Sequence, residues 1–417
     1  MSVASPATAS VGFADRLLAP FALRLMYRIA DRIRVGRLTV VAPDGTSRVF
    51  GDETSQRRAE IHIHDHAAAA RLLLHGETGA GEAYQDGQWT SPDLEALIEL
   101  AALNRSALAM NQGWWRRALG VPRRLAHVAR SNSKAQAAKN ISAHYDLGND
   151  FYQLFLDETM AYSAAVFDDA QPDQPLEDAQ RTKFRRIADG AGLREGMHVL
   201  EIGSGWGGFA ILAAREYGCR VTSITISSEQ QALAQARVRE AGLEHLVDIR
   251  FQDYRDIDGT YDAVVSIEML EAVGAEFYTT YFEAVDRVLR PGGRFSLQVI
   301  TFPDVAYETQ RRGANWIQTH IFPGGLCPSL SVVERSLHGT RLLLREARDI
   351  GPSYARTLRH WRNRFMGNLD RVRAQGFDDR FIRTWEFYLA LCEAGFAVGL
   401  TQDHQVVLEK GRGLEPA

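Results

Sequence analysis

The sequence predicts an α/β protein in two parts, the larger of which contains a mostly parallel, doubly wound sheet. Three observations predict this fold class. The chain has 417 residues, which is too long for one ordinary core. From Met197 onward, short apolar runs alternate with helical patterns. A glycine-rich turn, Gly203–Gly208, joins the first of these strands to the first helix, as in Rossmann-like βα units.

The first domain is predicted to span residues 1–104 as a small α/β unit. At 12–37, apolar residues are mixed with arginines, and a terminal helix packed on its own domain is favoured over a basic amphipathic helix on an anionic membrane. Pro43-Asp44-Gly45 separates two short apolar runs and predicts a β-hairpin. The elements predicted here are strands at Arg37–Val41, Thr46–Phe50 and Glu60–His64 and a helix at Asp65–Leu74.

A basic linker is predicted at 105–140. Arginines and lysines are frequent from Arg105 to Tyr145 with no acidic residue between them, and Trp114 and Trp115 precede a pair of arginines. Indole rings and basic side chains favour an anionic lipid interface, while a solvated linker explains the same composition equally well. No nucleic-acid-binding module accompanies the charge, and the formal net charge is -4, so nucleic acid is not a predicted partner.

The catalytic domain is predicted at 141–417. Its elements alternate as a doubly wound sheet requires. The predicted strands are Met197–Ile202, Arg220–Thr225, Val247–Phe251, Asp262–Ile267, Phe295–Ile300 and Gln405–Glu409. The predicted helices are Trp206–Glu216, Ser228–Ala241 and Phe277–Leu289, the last ended by Pro291-Gly292-Gly293.

Composition excludes several other classes of protein. The 3 cysteines form no CxxC pair and no Cys/His ligand spacing, so neither disulfides nor a metal site is predicted. No apolar run approaches the ~18 residues of a membrane span, and no secretory signal is recognised. A cytoplasmic location is therefore expected.

The glycine turn favours S-adenosylmethionine over a dinucleotide. Glu201 stands two residues before Gly203, and Gly205 and Gly207 complete an ExGxGxG pattern. A dinucleotide site needs an acidic residue about 20 positions further on to bind the ribose, whereas that region here is Ser223–Ser227.

The larger part of the chain resembles the cyclopropane-fatty-acid synthase family of class I methyltransferases. The resemblance covers residues 141–410 and rests on ordered runs rather than on any single motif. These runs are Ile141–Asp150, Met160–Ser163, Glu201–Gly208, Thr225–Gln230, Gln252–Asp256, Ser266–Gly274, Ile321–Gly325, Tyr354 with Thr357, Leu358 and Trp361, and Cys392–Phe396.

The resemblance implies a role for each matched residue that binds the cofactor. Tyr162 and Ser163 are expected at the amino-acid end of S-adenosylmethionine. The hydroxyl and amide groups of Thr225, Ser227 and Gln230 are expected to replace the usual acidic ribose ligand. The turn beneath the cofactor is expected to comprise Glu201, Gly203, Gly205, Trp206 and Gly207, and the adenine edge is expected to meet Asp253 and Tyr254.

The implied substrate is a cis alkene in a phospholipid acyl chain, which attacks the methyl group and leaves a carbocation. In the family, bicarbonate takes the resulting proton, held by polar side chains and backbone amides. Glu271 and Tyr354 stand at matched positions in the expected chamber. Ala164, Gln298 and Ala272 stand where members often carry cysteine or histidine, so bicarbonate is an optional cofactor here and Glu271 an alternative base.

Cys392 is a further catalytic candidate from the resemblance, although the chemistry needs no thiol and a buried packing role is favoured. The expected activity is methyl transfer from S-adenosylmethionine to the double bond of an unsaturated phospholipid acyl chain, giving a cyclopropane or a methyl-branched product. It would take place from the cytoplasm at the inner membrane surface, with a homodimer left open. The alternatives are a small-molecule methyltransferase and a non-catalytic lipid- or cofactor-binding protein on the same scaffold.

Overall fold

The structure is a computed structural model. The residues it describes are 13–108, 147–311, 313 and 315–413, with only the helical backbone described for 13–20. The predicted basic linker therefore lies outside the described residues beyond Leu108, as do Trp114 and Trp115. Two compact units divide the chain: unit 1 is Met1–Val121 with Gly376–Val398, and unit 2 is Pro122–Gln375 with Gly399–Ala417. The sequence-based division differs at Gly376–Val398, which it assigned to the catalytic domain.

Unit 1 is a small α/β unit. Its elements are α1 (Phe13–Ala30), β1 (Arg37–Val41), β2 (Ser47–Gly51), β3 (Arg58–Ile63), α2 (His66–Gln85), β4 (Trp89–Thr90), α3 (Leu94–Leu103), α4 (Arg105–Leu108) and α15 (Asp379–Ala397). The expected hairpin is present, because β1 pairs antiparallel with β2 on one side and parallel with β3 on the other. The sheet order is β2-β1-β3-β4.

Helix α2 extends well past the predicted end at Leu74. Asp65 caps its start by accepting from the backbone N–H of Ala67. Gly76 interrupts the helix with φ 61° and ψ −140°, and a Cβ on Gly79 would lie 2.2 Å from the carbonyl oxygen of Arg71. Glycine is thus needed for a kink and a close approach, and its low helix propensity concealed the second half of the helix.

Helix α15 was not predicted, and it owes its place in unit 1 to partners far away in sequence. Tyr84 donates a hydrogen bond of 2.7 Å to Glu386. Arg380 lies 3.0 Å from Asp86 in an ion pair, and the rings of Tyr84 and Phe387 lie 5.6 Å apart. No local pattern encodes such contacts.

Unit 2 contains a seven-stranded sheet. The strands are β5 (His198–Ile202), β6 (Arg220–Thr225), β7 (Val247–Phe251), β8 (Tyr261–Ile267), β9 (Leu289–Thr301), β10 (Leu342–Asp349) and β11 (Gln402–Lys410). Their order in the sheet is β10-β11-β9-β8-β5-β6-β7. The strands from β9 to β7 pair in parallel, and β10 and β11 add an antiparallel edge. The predicted doubly wound sheet is therefore confirmed.

Helices cover both faces of this sheet. The helices described in unit 2 are α5 (Asn149–Tyr152), α6 (Leu176–Ala191), α7 (Gly208–Tyr217), α8 (Ser228–Glu240), α9 (Tyr278–Val288), α10 (Asp304–Gln310), α11 (Trp316–His320), α12 (Leu330–Ser336), α13 (Gly351–Gly367) and α14 (Leu369–Ala374). Val199 and Val221 pack with α6 and α7 on one face, whereas Leu200 and Val264 pack with α9 on the other. This alternation is the period of two expected of a buried strand.

The predicted stop after α9 needs correction. The Pro291-Gly292-Gly293 segment lies inside β9, which begins at Leu289, rather than in a turn before it. The ladder between β8 and β9 shifts register at this point, so the strand accommodates the segment as an irregularity. In the described part of the chain, no helix combines the length and apolar character needed to cross a bilayer.

Candidate active site

The predicted site residues of unit 2 gather around the carboxyl ends of the parallel strands. β5 runs into Gly203, β6 ends at Thr225 and β8 leads into Glu268. Ligands of open parallel sheets bind outside this edge, because the loops there diverge and leave a crevice.

The glycine turn after β5 is held open by its backbone. The backbone φ angle is 95° at Gly203, 48° at Gly205 and 82° at Gly207. Residues with a Cβ adopt such positive angles only at a cost in free energy. The N–H groups of Gly203 and Ser204 donate to the carbonyl of Ile224 at 3.0 and 2.9 Å and fix the turn on β6. A Cβ added to Gly205 would meet no described atom within 4 Å. A ligand can therefore approach the backbone closely at this point.

The polar residues after β6 form one hydrogen-bonded group. The Thr225 hydroxyl donates to the Gln230 amide oxygen at 3.0 Å and accepts from the Ser227 N–H at 3.1 Å. Ser227 caps α8 by accepting from the Gln230 N–H at 3.3 Å. The sequence predicted that these three residues replace an acidic ribose ligand, and their contacts bring them together as that role requires.

Asp253 and Tyr254 open a short 3₁₀ turn after β7. The carboxylate of Asp253 accepts from Arg255, with a closest ion-pair distance of 2.6 Å. Tyr254 is buried and packs on Tyr281 with ring centroids 5.2 Å apart, and burial raises its pKa to about 12. Its hydroxyl has no hydrogen-bond partner among the described residues.

Tyr162 and Ser163 lie between buried aromatic and cationic groups. The ring of Tyr162 lies 5.4 Å from that of Tyr152 and 5.3 Å from that of Trp361. The Ser163 hydroxyl accepts a 2.6 Å hydrogen bond from the buried ammonium of Lys183. This serine is therefore fixed in position before any ligand binds.

Two further residues of the predicted turn make fixed contacts. The indole N–H of Trp206 donates to Asn149 at 2.6 Å. Glu201 is buried at the end of β5 and accepts a 2.5 Å hydrogen bond from Ser223. Burial raises the pKa of Glu201 to about 8, so this carboxyl group stays largely protonated at neutral pH.

Three hydrogen-bond donors converge on the side chain of Glu268, a residue of a matched run for which no role was predicted from the sequence. Its Oε1 accepts from the Ala164 backbone N–H at 2.8 Å and from the Gln298 amide at 2.7 Å. Its Oε2 accepts from the Tyr354 hydroxyl at 2.8 Å. Donors from a loop, a central strand and helix α13 thus converge on one carboxylate.

The backbone at Glu268 is strained. Its φ is 50°, in the left-handed region that costs an L residue about 1 kcal/mol. Its N–H donates to the carbonyl of Gln298 at 2.8 Å, which holds the residue against β9. Strain of this kind is retained where the side chain is needed.

Glu271, the predicted chamber carboxylate, lies in the 3₁₀ turn that follows. Its Oε1 accepts from the Ile300 N–H at 2.5 Å, and its Oε2 is buried with no hydrogen-bond partner among the described residues. Burial, and then the charge of Glu268, raise the pKa of Glu271 to about 8. At neutral pH, Glu271 is mostly protonated and a poor base.

Two more ionisable side chains near Glu268 and Glu271, those of Asp403 and Lys183, are buried. Asp403, on β11, accepts from the Gln298 amide at 3.1 Å. Its pKa is raised well above the ordinary value by burial and by the charges of Glu268 and Glu271. Burial lowers the pKa of Lys183 to about 8, against the attraction of Glu268 and other carboxylates. Among these carboxyl groups, Glu268 accepts three hydrogen bonds and is attracted by the Lys183 ammonium.

Gln298 and Tyr354 both contact Glu268, whose charge acts on Glu271, whereas Cys392 lies in unit 1 on α15. Burial raises the pKa of the Cys392 thiol to about 12, with a smaller contribution from Glu77. The thiol is un-ionised at neutral pH, which favours the packing role over a nucleophilic one.

Sequence reasoning missed Glu268, Asp403 and Lys183. One feature of the sequence could have identified Glu268: it is a carboxylate directly after a buried parallel strand, which places it at the ligand-binding edge of the sheet. Asp403 and Lys183 carried none, because their proximity depends on β11 and α6 meeting through the sheet.

The described residues fit S-adenosylmethionine. The open backbone at Gly205 suits a closely approaching ligand. The hydrogen-bonded residues Thr225, Ser227 and Gln230 offer hydroxyl and amide partners for a ribose. The orphaned hydroxyl of Tyr254 provides one more polar partner near the adenine position predicted from the sequence.

Comparisons with known proteins agree with this geometry. A family model described as mycolic acid cyclopropane synthetase matches residues 132–406. Tuberculostearic acid methyltransferase UfaA1 of Mycobacterium tuberculosis is 42% identical over 409 residues, which is 96% of this chain and 92% of that protein. Cyclopropane-fatty-acyl-phospholipid synthase of Escherichia coli is 36% identical over 355 residues, covering 85% and 88% of the two chains.

Solved structures give the same result. Mycolic acid cyclopropane synthase CmaA1 complexed with SAH and CTAB matches with a TM-score of 0.61 and 30% identity, over 66% of this chain and 98% of that one. The cyclopropane synthase MmaA2 from Mycobacterium tuberculosis matches with a TM-score of 0.61 and 29% identity, over 66% and 98%.

The family model and both curated relatives match most of the chain. The chain therefore belongs to the mycolic acid cyclopropane synthetase family and is an S-adenosylmethionine-dependent methyltransferase with a class I fold.

Proposed function

We propose that this enzyme transfers a methyl group to the cis double bond of an unsaturated phospholipid acyl chain, giving a cyclopropane or a methyl-branched chain. Bound S-adenosylmethionine supplies an electrophilic methyl group on sulfur. The observation that carries the proposal is a cluster of carboxyl groups beside aromatic rings, with Asp403 buried and Glu268 and Glu271 half-buried. Glu268, Glu271 and Asp403 interact with one another, and Tyr354 links Glu268 to Trp361, with ring centroids 6.1 Å apart.

Such surroundings suit an alkene substrate. An attacking alkene becomes a carbocation, which negative charge and aromatic faces stabilise in a dry pocket. Methyl transfer to an oxygen or nitrogen nucleophile needs a base but no cation site. Lipid as the substrate class is supported by the names of the two curated relatives, a tuberculostearic acid methyltransferase and a fatty-acyl-phospholipid synthase.

We place the enzyme on the cytoplasmic surface of the membrane, where the cofactor and the acyl chain meet. Helix α1 supports this location. Phe21 and Leu25 are one turn apart and 68% and 45% exposed, and Arg24 and Arg28 are exposed beside them. Apolar side chains flanked by arginines suit an anionic phospholipid surface. A homodimer stays an open proposal, to be tested by light scattering.

The test is expression in a host that makes no methylated fatty acids, followed by mass spectrometry of its lipids. Unsaturated acyl chains one methylene heavier are expected, with saturated chains unchanged as the internal control. Unchanged lipids, together with purified protein that still binds the cofactor, would favour a small-molecule methyltransferase or a non-catalytic binding protein.

A further inference from the structure

The site where the family resemblance places bicarbonate is already filled by a side chain. The donors expected to hold such an anion are the Ala164 N–H, the Gln298 amide and the Tyr354 hydroxyl. All three donate to the Glu268 carboxylate at 2.7–2.8 Å. Bicarbonate and the carboxylate present the same planar pair of anionic oxygens, so one excludes the other. Bicarbonate therefore does not fit this site in wild-type protein.

We propose that the Glu268 carboxylate takes the place of a bicarbonate ion in this active site and is the base that removes the proton after methyl transfer. This inference rests on the proposed function. It makes Glu268 a catalytic residue, a role that the sequence alone did not indicate.

A packing role does not explain this residue. Its φ of 50° suits glycine, so the backbone alone would favour glycine at this position. The side chain is nevertheless present and is held by donors from three separate segments. Glu271 is less suited to the role, since one of its oxygens is bound to Ile300 and burial keeps it mostly protonated.

The reaction balances without any oxidant or reductant. The alkene π electrons form a carbon–carbon bond to the methyl group as the S–CH₃ bond breaks, and its electron pair stays on sulfur. The neighbouring carbon becomes the cation. A C–H bond then gives its electrons to close the cyclopropane ring or to form a new double bond. The proton passes to Glu268, which later releases it to water.

The surroundings of Glu268 differ from those of the two neighbouring carboxyl groups, Asp403 and Glu271. Burial and the charges of Glu268 and Glu271 raise the pKa of Asp403 well above its ordinary value, and a hydrogen bond with Glu268 contributes to this rise. The Lys183 ammonium is attracted to the Glu268 charge. The hydrogen-bond donors thus converge on Glu268, whereas burial raises the pKa of Asp403 and of Glu271 beside it.

The experiment compares purified wild type with Glu268→Gly in CO₂-free buffer, using methyl-labelled S-adenosylmethionine and vesicles of mono-unsaturated phosphatidylglycerol. Wild type should not respond to added sodium bicarbonate. Glu268→Gly should lose at least a hundredfold in turnover, and bicarbonate should restore at least tenfold of that loss by occupying the vacated donors. Glycine suits the φ at this position, so the variant is expected to fold.

The matched control is Glu271→Ala, which removes a neighbouring carboxyl group but leaves Glu268 on its donors. Its loss of turnover should not be restored by bicarbonate. A second readout needs no turnover: bicarbonate should raise the melting temperature of Glu268→Gly and leave that of wild type unchanged. Should Glu268→Gly misfold, the isosteric Glu268→Gln should show the same loss without rescue.

The inference is overturned if wild type requires bicarbonate, or if Glu268→Gly or Glu268→Gln keeps wild-type turnover in CO₂-free buffer. Wild type that transfers no label to lipid would instead refute the proposed function. In that case the melting-temperature comparison still decides whether Glu268 occupies an anion site.

Discussion

Replacing Glu271 with glutamine should stabilise the protein, and increasingly so as the pH rises. The pKa of Glu271 is about 8 in the folded protein, whereas a solvated glutamate, as in the unfolded chain, has a pKa of 4.5. Below pH 4.5 both states hold the proton, and the stabilising contribution is complete. Between the two values only the folded state holds it, so stability falls by roughly 1.4 kcal/mol for each pH unit. Above pH 8 the contribution is lost.

Glu271→Gln removes this loss of stability with rising pH and keeps the side-chain oxygen that accepts a hydrogen bond from the Ile300 N–H. The variant should match wild type near pH 5 and exceed it by roughly 4 kcal/mol at pH 8. That corresponds to about 8 °C in melting temperature for a unit of this size. Thermal unfolding at pH 5, 6, 7 and 8 measures the difference. A difference that stays constant with pH, or that favours wild type at pH 8, would refute the reasoning.

Three other substitutions test the remaining parts of the site. Gly203→Ala should lower stability by about 1–2 kcal/mol in chemical denaturation, because φ is 95° and the new Cβ would lie 3.1 Å from Met269; unchanged stability would contradict this. Thr225→Val should weaken S-adenosylhomocysteine binding about fivefold in calorimetry, through the loss of about 1 kcal/mol of hydrogen bonding, whereas an unchanged Kd would remove Thr225 from the site. Cys392→Ala should keep turnover within about twofold, and a hundredfold loss would revive a catalytic thiol.

The sheet was largely predictable because its strands are short, buried and apolar. β6 and β7 have the predicted bounds, Arg220–Thr225 and Val247–Phe251. β10 was missed because most of its residues are exposed and its second half, Arg345–Asp349, is polar. An edge strand of that kind carries no burial pattern, and its pairing with β11 is the only thing that defines it.

The cofactor side of the site was also predictable from local runs, since the glycine turn and the Thr225–Gln230 segment each lie within one βα connection. The part of the site around the Glu268 carboxylate was less predictable. Glu268 stands three residues before the predicted Glu271, but its role depends on Ala164, Gln298 and Tyr354 meeting across the fold. The glutamine at 298, where many family members carry histidine, is now interpretable because its amide donates to the Glu268 carboxylate. Ala164 donates through its backbone N–H, which a cysteine would also offer.

The most direct test of the proposed activity is the mass of acyl chains after purified wild type reacts with trideuteromethyl S-adenosylmethionine and phosphatidylglycerol vesicles. Deuterium is expected in mono-unsaturated chains and in no saturated chain, with two deuterium atoms retained if the base takes its proton from the new methyl group. An acyl fraction free of deuterium, with the cofactor bound at the glycine turn, would contradict methyl transfer to lipid.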